Sequence, residues 1–353
     1  VITNYIKVKK RSRDVKSRKI TYASAGVDID RADFIKSKIK DLAKKTLISG
    51  VIEGVGPFSA VLKSEGEILL ATCDGVGTKI LLGLKYKKEK WLGKDLVAMN
   101  VNDILAMHGK PKFFLDYIGV NSLDDVDVLD IVEGIVEACE ESECSLVGGE
   151  TAQMPGFYKR KSVELVGFCI GFADSNSLPK ISNIKKGDLV IAFPSAGIHS
   201  NGFSLVRKLI SQKKIKIDSD FDGEKLYNLI LAPTKIYVKD FFKIVEKFGF
   251  PKASAHITGG GIPGNLSRVI PDGLSAFVEK KVLKDISEKY SHNIFSLFYK
   301  FVEEKELFRV FNMGIGFAMI YDEATAKKIT ENFSDVFVVG FIDDFKKEKV
   351  VIV

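Results

Sequence analysis

The chain has 353 residues, 46% hydrophobic and 28% charged, which suits a soluble globular protein of about two domains with a sizeable core. No apolar run approaches the roughly 20 residues of a membrane helix, and no charged-then-apolar leader opens the chain. The net charge of +7 invites a nucleic-acid or membrane partner, but residues 1–20 hold eight Lys/Arg against the single acid Asp14 and account for all of it. The body is therefore neutral, and the tail reads as a solvated arm. The four cysteines, Cys73, Cys139, Cys144 and Cys169, form no C-x-x-C pair. Neither zinc nor a disulfide framework is expected, and the thiols read as reduced, in a cytosolic protein.

In chain order, "DFIKSKIKDLAKKT" spaces Phe34, Ile35, Ile39 and Leu42 as one face of an amphipathic helix. A glycine-bearing loop, "SGVIEGVGPFSAVL", feeds a strand, and "EILLATCD" is the next one. "GKDLVAMNVNDILAMHGKP" reads as a helix ended by His108-Gly109 and Pro111. The strand "KFFLDYIGV", the helix "DDVDVLDIVEGIVEACEESE" and the strands "CSLVGGE" and "VELVGFCIGFAD" complete the first half. "SNSLPKISNIKKGD" is polar and holds Pro179 and Gly187, so the domain boundary falls there, between a first domain at 21–174 and a second at 187–353. The second half opens with "LVIAFPSAGIHSNG" and a helix from about Phe203. A helical region from Glu224 to Phe248 is interrupted at Pro233. "KASAHITGGG", "LSAFVEKK", "RVFNMGIGFAMIYD" and "DVFVVGFID" are strands, with helices around Ile294–Glu303 and Glu323–Phe333. The pattern predicts an α+β protein of two mixed α/β domains.

Three acids share a setting. Asp74 ends a strand, Glu150 follows "LVGG" at another strand end, and Asp103 sits mid-helix beside the apolar stripe of Met99, Leu105 and Met107. A polar group beside an apolar stripe costs stability unless it finds a partner. One reading is separate structural roles: a turn, a cap and a surface carboxylate. The other is Mg²⁺, which takes carboxylate oxygens and keeps positions for substrate phosphates. The glycines of "GVIEGVG", "CDGVGTK" and "HITGGGIPGN" fit the second reading, because glycine lets backbone N–H groups approach a phosphate; the same residues also serve as turn punctuation. Gly259, Gly261 and Gly264 match G-x-G-x-x-G. The helix behind them must end before Pro271, too short for a dinucleotide-binding crossover. In "SAGIHSNGFSLVRK", Ser200 or Asn201 can cap the following helix, and His199 beside a helix start suits anion binding or proton transfer. His256 reads as a core histidine unless it faces the same cleft.

"YASAGVDIDRADFIKSKIK", "CDGVGTK", "VAMNVNDI", "FFLDY", "SLVGGETAQMPG", "GIHSNGFSLVRK", "LAPTKIYVK", "HITGGGIPGNLSRVIP" and "FNMGIGF" occur in this order. Together they resemble the phosphoribosylformylglycinamidine cyclo-ligase (AIR synthetase) family of purine biosynthesis, from about Thr21 to the end. The resemblance implies a ligase that uses ATP, with Mg²⁺ and K⁺ as accompanying ions, to close the imidazole ring of 5-aminoimidazole ribonucleotide. It implies a homodimer whose N-terminal sheets pair into a barrel-like interface near ATP. Carried over by position, Asp74, Asp103 and Glu150 are metal- and phosphate-facing acids. Lys40, Gly54, Gly56, Gly75, Gly77, Thr78 and Lys79 face the nucleotide. His199, Ser200, Asn201, Gly202, Thr258, Gly259 and Gly260 face the ribonucleotide, and His199 and Lys79 are the candidates for catalysis. Glu53, Pro57 and Ser59 stand where the family commonly has glycine, Gln153 where it has Glu, and Met313 where it has a small residue. The alternatives are a selenophosphate synthetase-like enzyme, which would carry a reactive Cys near the N-terminus, and a non-catalytic nucleotide-binding or RNA-associated protein.

Overall fold

Each half of the chain builds its own six-stranded sheet in a computed structural model that describes residues 19–353. All but Lys19 and Ile20 of the expected basic tail therefore lies outside the described residues. The first half runs α1 (Ile29–Ala43), β1 (Val51–Glu53), β2 (Ala60–Ser64), β3 (Glu67–Gly75), α2 (Ile80–Lys85), α3 (Glu89–Ala106), β4 (Lys110–Val120), α4 (Val128–Glu141), β5 (Ser145–Gln153) and β6 (Val163–Ala173). Its sheet has the order β1-β2-β3-β6-β4-β5, antiparallel except for β4 with β5. Period-two alternation places Ile68, Leu70, Leu165 and Cys169 on a buried face. That face is covered by α3, and α4 packs on α3. Gly93 and Gly134 allow the two helices to approach, since a Cβ on either would run into the other helix's backbone at Ile131 or Lys90. The opposite face carries Phe113, Phe168 and Cys73 and is exposed.

The second half runs β7 (Leu189–Pro194), α5 (Phe203–Ser211), a small ribbon of β8 (Asp220–Phe221) and β9 (Glu224–Lys225), α6 (Leu226–Leu231), α7 (Val238–Phe248), β10 (Ala253–His256), α8 (Gly261–Leu266), β11 (Leu274–Val278), α9 (Lys280–Tyr290), α10 (Glu304–Val310), β12 (Ile315–Tyr321), α11 (Glu323–Asn332), β13 (Phe337–Asp344) and β14 (Val350–Ile352). The main sheet has the order β10-β12-β7-β13-β11-β14. This is the α+β architecture of two mixed domains expected from the sequence. The break at Pro233 falls between α6 and α7, and α8 is the short helix that the Pro271 argument required. The helix expected at Ile294–Glu303 is instead a 3-10 turn, Ile294–Leu297, followed by an irregular stretch. Phe295, Phe298 and Val302 all bury, and Phe298 stacks on Phe311 at 4.7 Å, so core packing overrides the helical spacing.

The helix α3 is the spine between the domains. Asp95 Oδ1 accepts from the Thr234 amide and hydroxyl at 2.7 and 2.8 Å. Asn102 Nδ2 donates to the Lys235 carbonyl at 2.9 Å, and its Oδ1 accepts from the Tyr237 amide at 3.1 Å. At the end of the helix, His108 Nδ1 donates to the Ser177 carbonyl at 2.7 Å, and burial pulls this imidazole down to about 4. These buried polar groups all find protein partners. A strap from Lys19 to Asp30 lies across the second domain: the Ile20 amide donates to the Phe301 carbonyl, Tyr22 N–H to Glu306, and Arg309 pairs with Asp30 at 2.6 Å.

Candidate active site

The strap, the loop before β2, the end of β3 and the glycine run after β10 enclose a cleft of about 1320 Å³ with an adjoining annex of about 400 Å³. Asp74 and Asp103 line both. Asp74 is brought there by the end of β3, where its amide donates to Asn100 Oδ1 at 2.9 Å and its own Oδ1 accepts from the Gly75 amide at 2.7 Å. Burial, and secondarily the Asp103 charge, push its carboxyl up to about 6. Asp103 comes from α3, one residue past Asn102, and His256 Nδ1 donates to its Oδ1 at 2.8 Å. His256 is fully buried on β10, yet its partner faces the cleft. The sequence left it as a conditional core histidine; only the packing of β10 beside α3 shows that it orients a cleft acid across the domain boundary.

The cationic wall comes from α1 and the second domain. Lys36, Lys40 and Arg268 line the cleft. Lys40 Nζ stands 3.2 Å from where a Cβ on Gly56 would lie, so the helix and the glycine loop meet at that point. Gly54 sits beside Leu47 and is not part of the lining. Gly75, Gly77 and Thr78 line the annex with Ser200, Asn201, Gly202 and Thr258; Gly259 lines both spaces and Gly260 the main cleft. The identity of Gly75 has a structural cause as well, since a Cβ there would stand 2.8 Å from the Leu165 carbonyl oxygen of β6. Ser200 shares a hydrogen bond with Thr234 at 3.0 Å. Neither Ser200 nor Asn201 caps α5, which starts from Gly202 at φ +78 without a side-chain cap.

Three expected roles need correction. Lys79 does not reach the cleft: it is fully buried, 2.7 Å from Asp95 Oδ2, and donates to the Ala232 carbonyl at 2.8 Å. Its ammonium neutralises a buried acid at the domain interface rather than a phosphate. His199 is 1% exposed and faces the core, not the cleft. Its Nε2 accepts from the Ala196 amide at 3.1 Å, its Nδ1 has no partner among the described residues, and burial holds it well below the usual histidine range. It takes a left-handed backbone at φ +57, which turns the side chain inward while Ser200 and Asn201 face the annex. Glu150 lies exposed on the edge strand β5, outside the cleft lining, and among the described residues no three His, Cys, Asp or Glu side chains converge as a metal-binding group. Of the three candidate acids, Asp74 and Asp103 line the cleft and Glu150 does not.

The family described as "AIR synthase related protein, N-terminal domain" matches residues 57–173, and its C-terminal counterpart matches residues 185–353. A curated phosphoribosylformylglycinamidine cyclo-ligase of Burkholderia multivorans is 42% identical over 317 residues, covering 87% of each chain. This chain belongs to the phosphoribosylformylglycinamidine cyclo-ligase family. The fold is shared more widely. AaThiL solved with AMPPCP and TMP superposes at a TM-score of 0.60 with 20% identity, over 89% of this chain and 92% of that one. A thiamine monophosphate kinase from Aquifex aeolicus superposes at 0.58 with 20% identity, over 89% and 96%. For a cyclo-ligase, the cleft offers the acids Asp74 and Asp103 together with the cations Lys36, Lys40 and Arg268, a glycine-bearing loop and an adjoining polar annex. Membership in this family sets aside the selenophosphate synthetase-like and non-catalytic alternatives.

Proposed function

We infer that this chain is an ATP-dependent ligase that closes the ring of formylglycinamidine ribonucleotide to 5-aminoimidazole ribonucleotide, releasing ADP and phosphate, in purine biosynthesis. The observation that carries the reading is 42% identity to a cyclo-ligase across 87% of the chain, joined to a cleft in which Asp74 and Asp103 face Lys36 and Lys40. Phosphoryl transfer to the formyl amide oxygen makes that oxygen leave as phosphate. Attack by the neighbouring amine on the activated carbon then forms the ring. The protein's task is positioning and charge neutralisation. Asp74 fits a divalent cation, because a buried carboxyl pushed up to about 6 beside a second acid gains from a hard positive charge. Mg²⁺ held by Asp74 and Asp103 would supply Lewis-acid stabilisation of phosphate charge. His256 keeps Asp103 aimed into the cleft, Lys40 and Gly56 meet over it, and Ser200, Asn201 and Thr258 line the annex as hydrogen-bonding groups for the ribonucleotide. Nothing in the described residues supports a K⁺ site.

The second part of the proposal is a homodimer in the cytosol. Cys73, Phe168 and Leu115 lie in one row across β3, β6 and β4 on the uncovered face of the first sheet, and Phe113 and Phe168 are each 43% exposed. A second copy is the natural cover for such a face, and Glu150 on the β5 edge would then lie at its margin. The four free thiols suit a reducing compartment. The activity is tested by ADP release with ATP, Mg²⁺ and formylglycinamidine ribonucleotide. Release that does not depend on the ribonucleotide would overturn the reading.

A further inference from the structure

Arg268 stands where the main cleft meets its annex and lines both. It rises from the turn Ser267–Val269, which is anchored on either side by the buried Leu266 and Val269. Just upstream, Asn265 Nδ2 donates to the carbonyls of Thr258, Gly259 and Gly261 at 3.2, 3.2 and 2.8 Å, tying this turn to the glycine run of the cleft. The guanidinium carbon lies 4.9 Å from the centre of the Phe58 ring. Phe58 belongs to the other domain and closes the loop that carries Gly56; it is 6% exposed, whereas Val55 is 42% exposed. The arginine ion pairs of the described residues involve Arg160 and Arg309, and Arg268 has none among them although Asp33, Asp74, Asp103, Glu304 and Glu348 line the same cleft.

An arginine placed on an aromatic ring keeps its planar fork exposed at the edge, in the geometry that takes two phosphate oxygens at once. We propose that Arg268 binds a phosphate group of the ligand, and that the Phe58 ring is the shelf that holds the guanidinium in place and couples phosphate binding to the position of the 54–58 loop. This rests on the ATP and ribonucleotide reading above. The 5′-phosphate of the ribonucleotide and the phosphates of ATP share the chemistry, and the residue lies within reach of both spaces.

The test uses the full chain with Arg268→Lys, Phe58→Leu and the double variant. Calorimetry would titrate Mg·ATP, formylglycinamidine ribonucleotide and ribose 5-phosphate separately, and thermal melting would be followed without ligand. The expected result for Arg268→Lys is a loss of about tenfold or more for one phosphate ligand, with the other kept within about twofold and the unliganded melting temperature unchanged. The ligand that weakens identifies the source of the phosphate. Phe58→Leu should weaken the same ligand less, and the double variant should be little worse than Arg268→Lys alone. Binding of all three ligands as in the wild type would overturn the proposal. So would equal losses for every ligand together with a lowered unliganded melting temperature, which marks a structural role. Unchanged binding in Phe58→Leu would remove the coupling to the loop. If the wild type releases no ADP with the ribonucleotide, the functional reading fails, while Mg·ATP and ribose 5-phosphate binding still decide the role of Arg268.

Discussion

Replacing Asp74 by Asn should make the ligand-free protein more stable and the enzyme less active. In the fold, burial and Asp103 raise this carboxyl from 3.8 to about 6. The folded state therefore holds a proton that the unfolded chain gives up between those values. Its contribution to stability falls as pH rises through that window, and above it ionised Asp74 costs about 3 kcal/mol at most. His108, pulled down to about 4, contributes the opposite slope, since its cost appears on acidification. The difference between wild type and variant isolates Asp74. Asparagine keeps an oxygen for the Gly75 amide, which now donates to Asp74 Oδ1 at 2.7 Å, and carries no charge. Urea unfolding in chelator should show Asp74→Asn more stable by about 1–3 kcal/mol at pH 7.5, with the gap closing toward pH 4. The same variant should lose stabilisation by Mg·ATP and raise the Mg·ATP requirement for ADP release. A variant equally or less stable at pH 7.5, or a gap that ignores pH, would refute the account of Asp74 as a strained buried acid awaiting a cation.

Lys79→Ala leaves Asp95 charged and unpaired in the interior, so stability should fall by about 3–5 kcal/mol in denaturant unfolding; intact stability with a tenfold higher KM for Mg·ATP would return Lys79 to the cleft. His199→Asn keeps a residue type that tolerates the left-handed backbone, and the pH profile of turnover should be unmoved because the imidazole is buried, neutral and away from the cleft; a lost limb in that profile would restore its catalytic role. Phe168→Glu places a charge at the centre of the uncovered sheet face, and light scattering should show a shift from dimer to monomer; an unchanged mass would exclude this face as the interface.

Much of the fold was legible because local signals agree with tertiary demands. Alternation in β3 and β6, the break at Pro233 and the Pro271 limit on α8 each follow from backbone geometry that sequence spacing reports directly. That Asp74, Asp103 and the glycine run after β10 line one cleft was an expectation of the family resemblance alone, since spacing along the chain cannot bring β3, α3 and β10 together. The helical spacing of Val282, Leu283 and Ile286 in α9 was equally available as a signal, although no helix was assigned there. Other features depended on what lies beside a residue in space. Lys79 and Asp74 sit five positions apart in one glycine-rich stretch, yet one neutralises Asp95 beneath the second domain and the other opens into the cleft. His199 and His256 have similar sequence settings, but a left-handed φ sends the first into the core and the pairing of β10 beside α3 gives the second a cleft acid to hold. The amphipathic α1 formed as its spacing predicts, while Phe34 and Leu42 stay 54% and 62% exposed because no described residue covers that face. Spacing along the chain determines which residues share a helix or strand face; which of those faces meets a cation, a carboxylate or another domain is set by contacts between segments remote in sequence, and only the tertiary structure decides them.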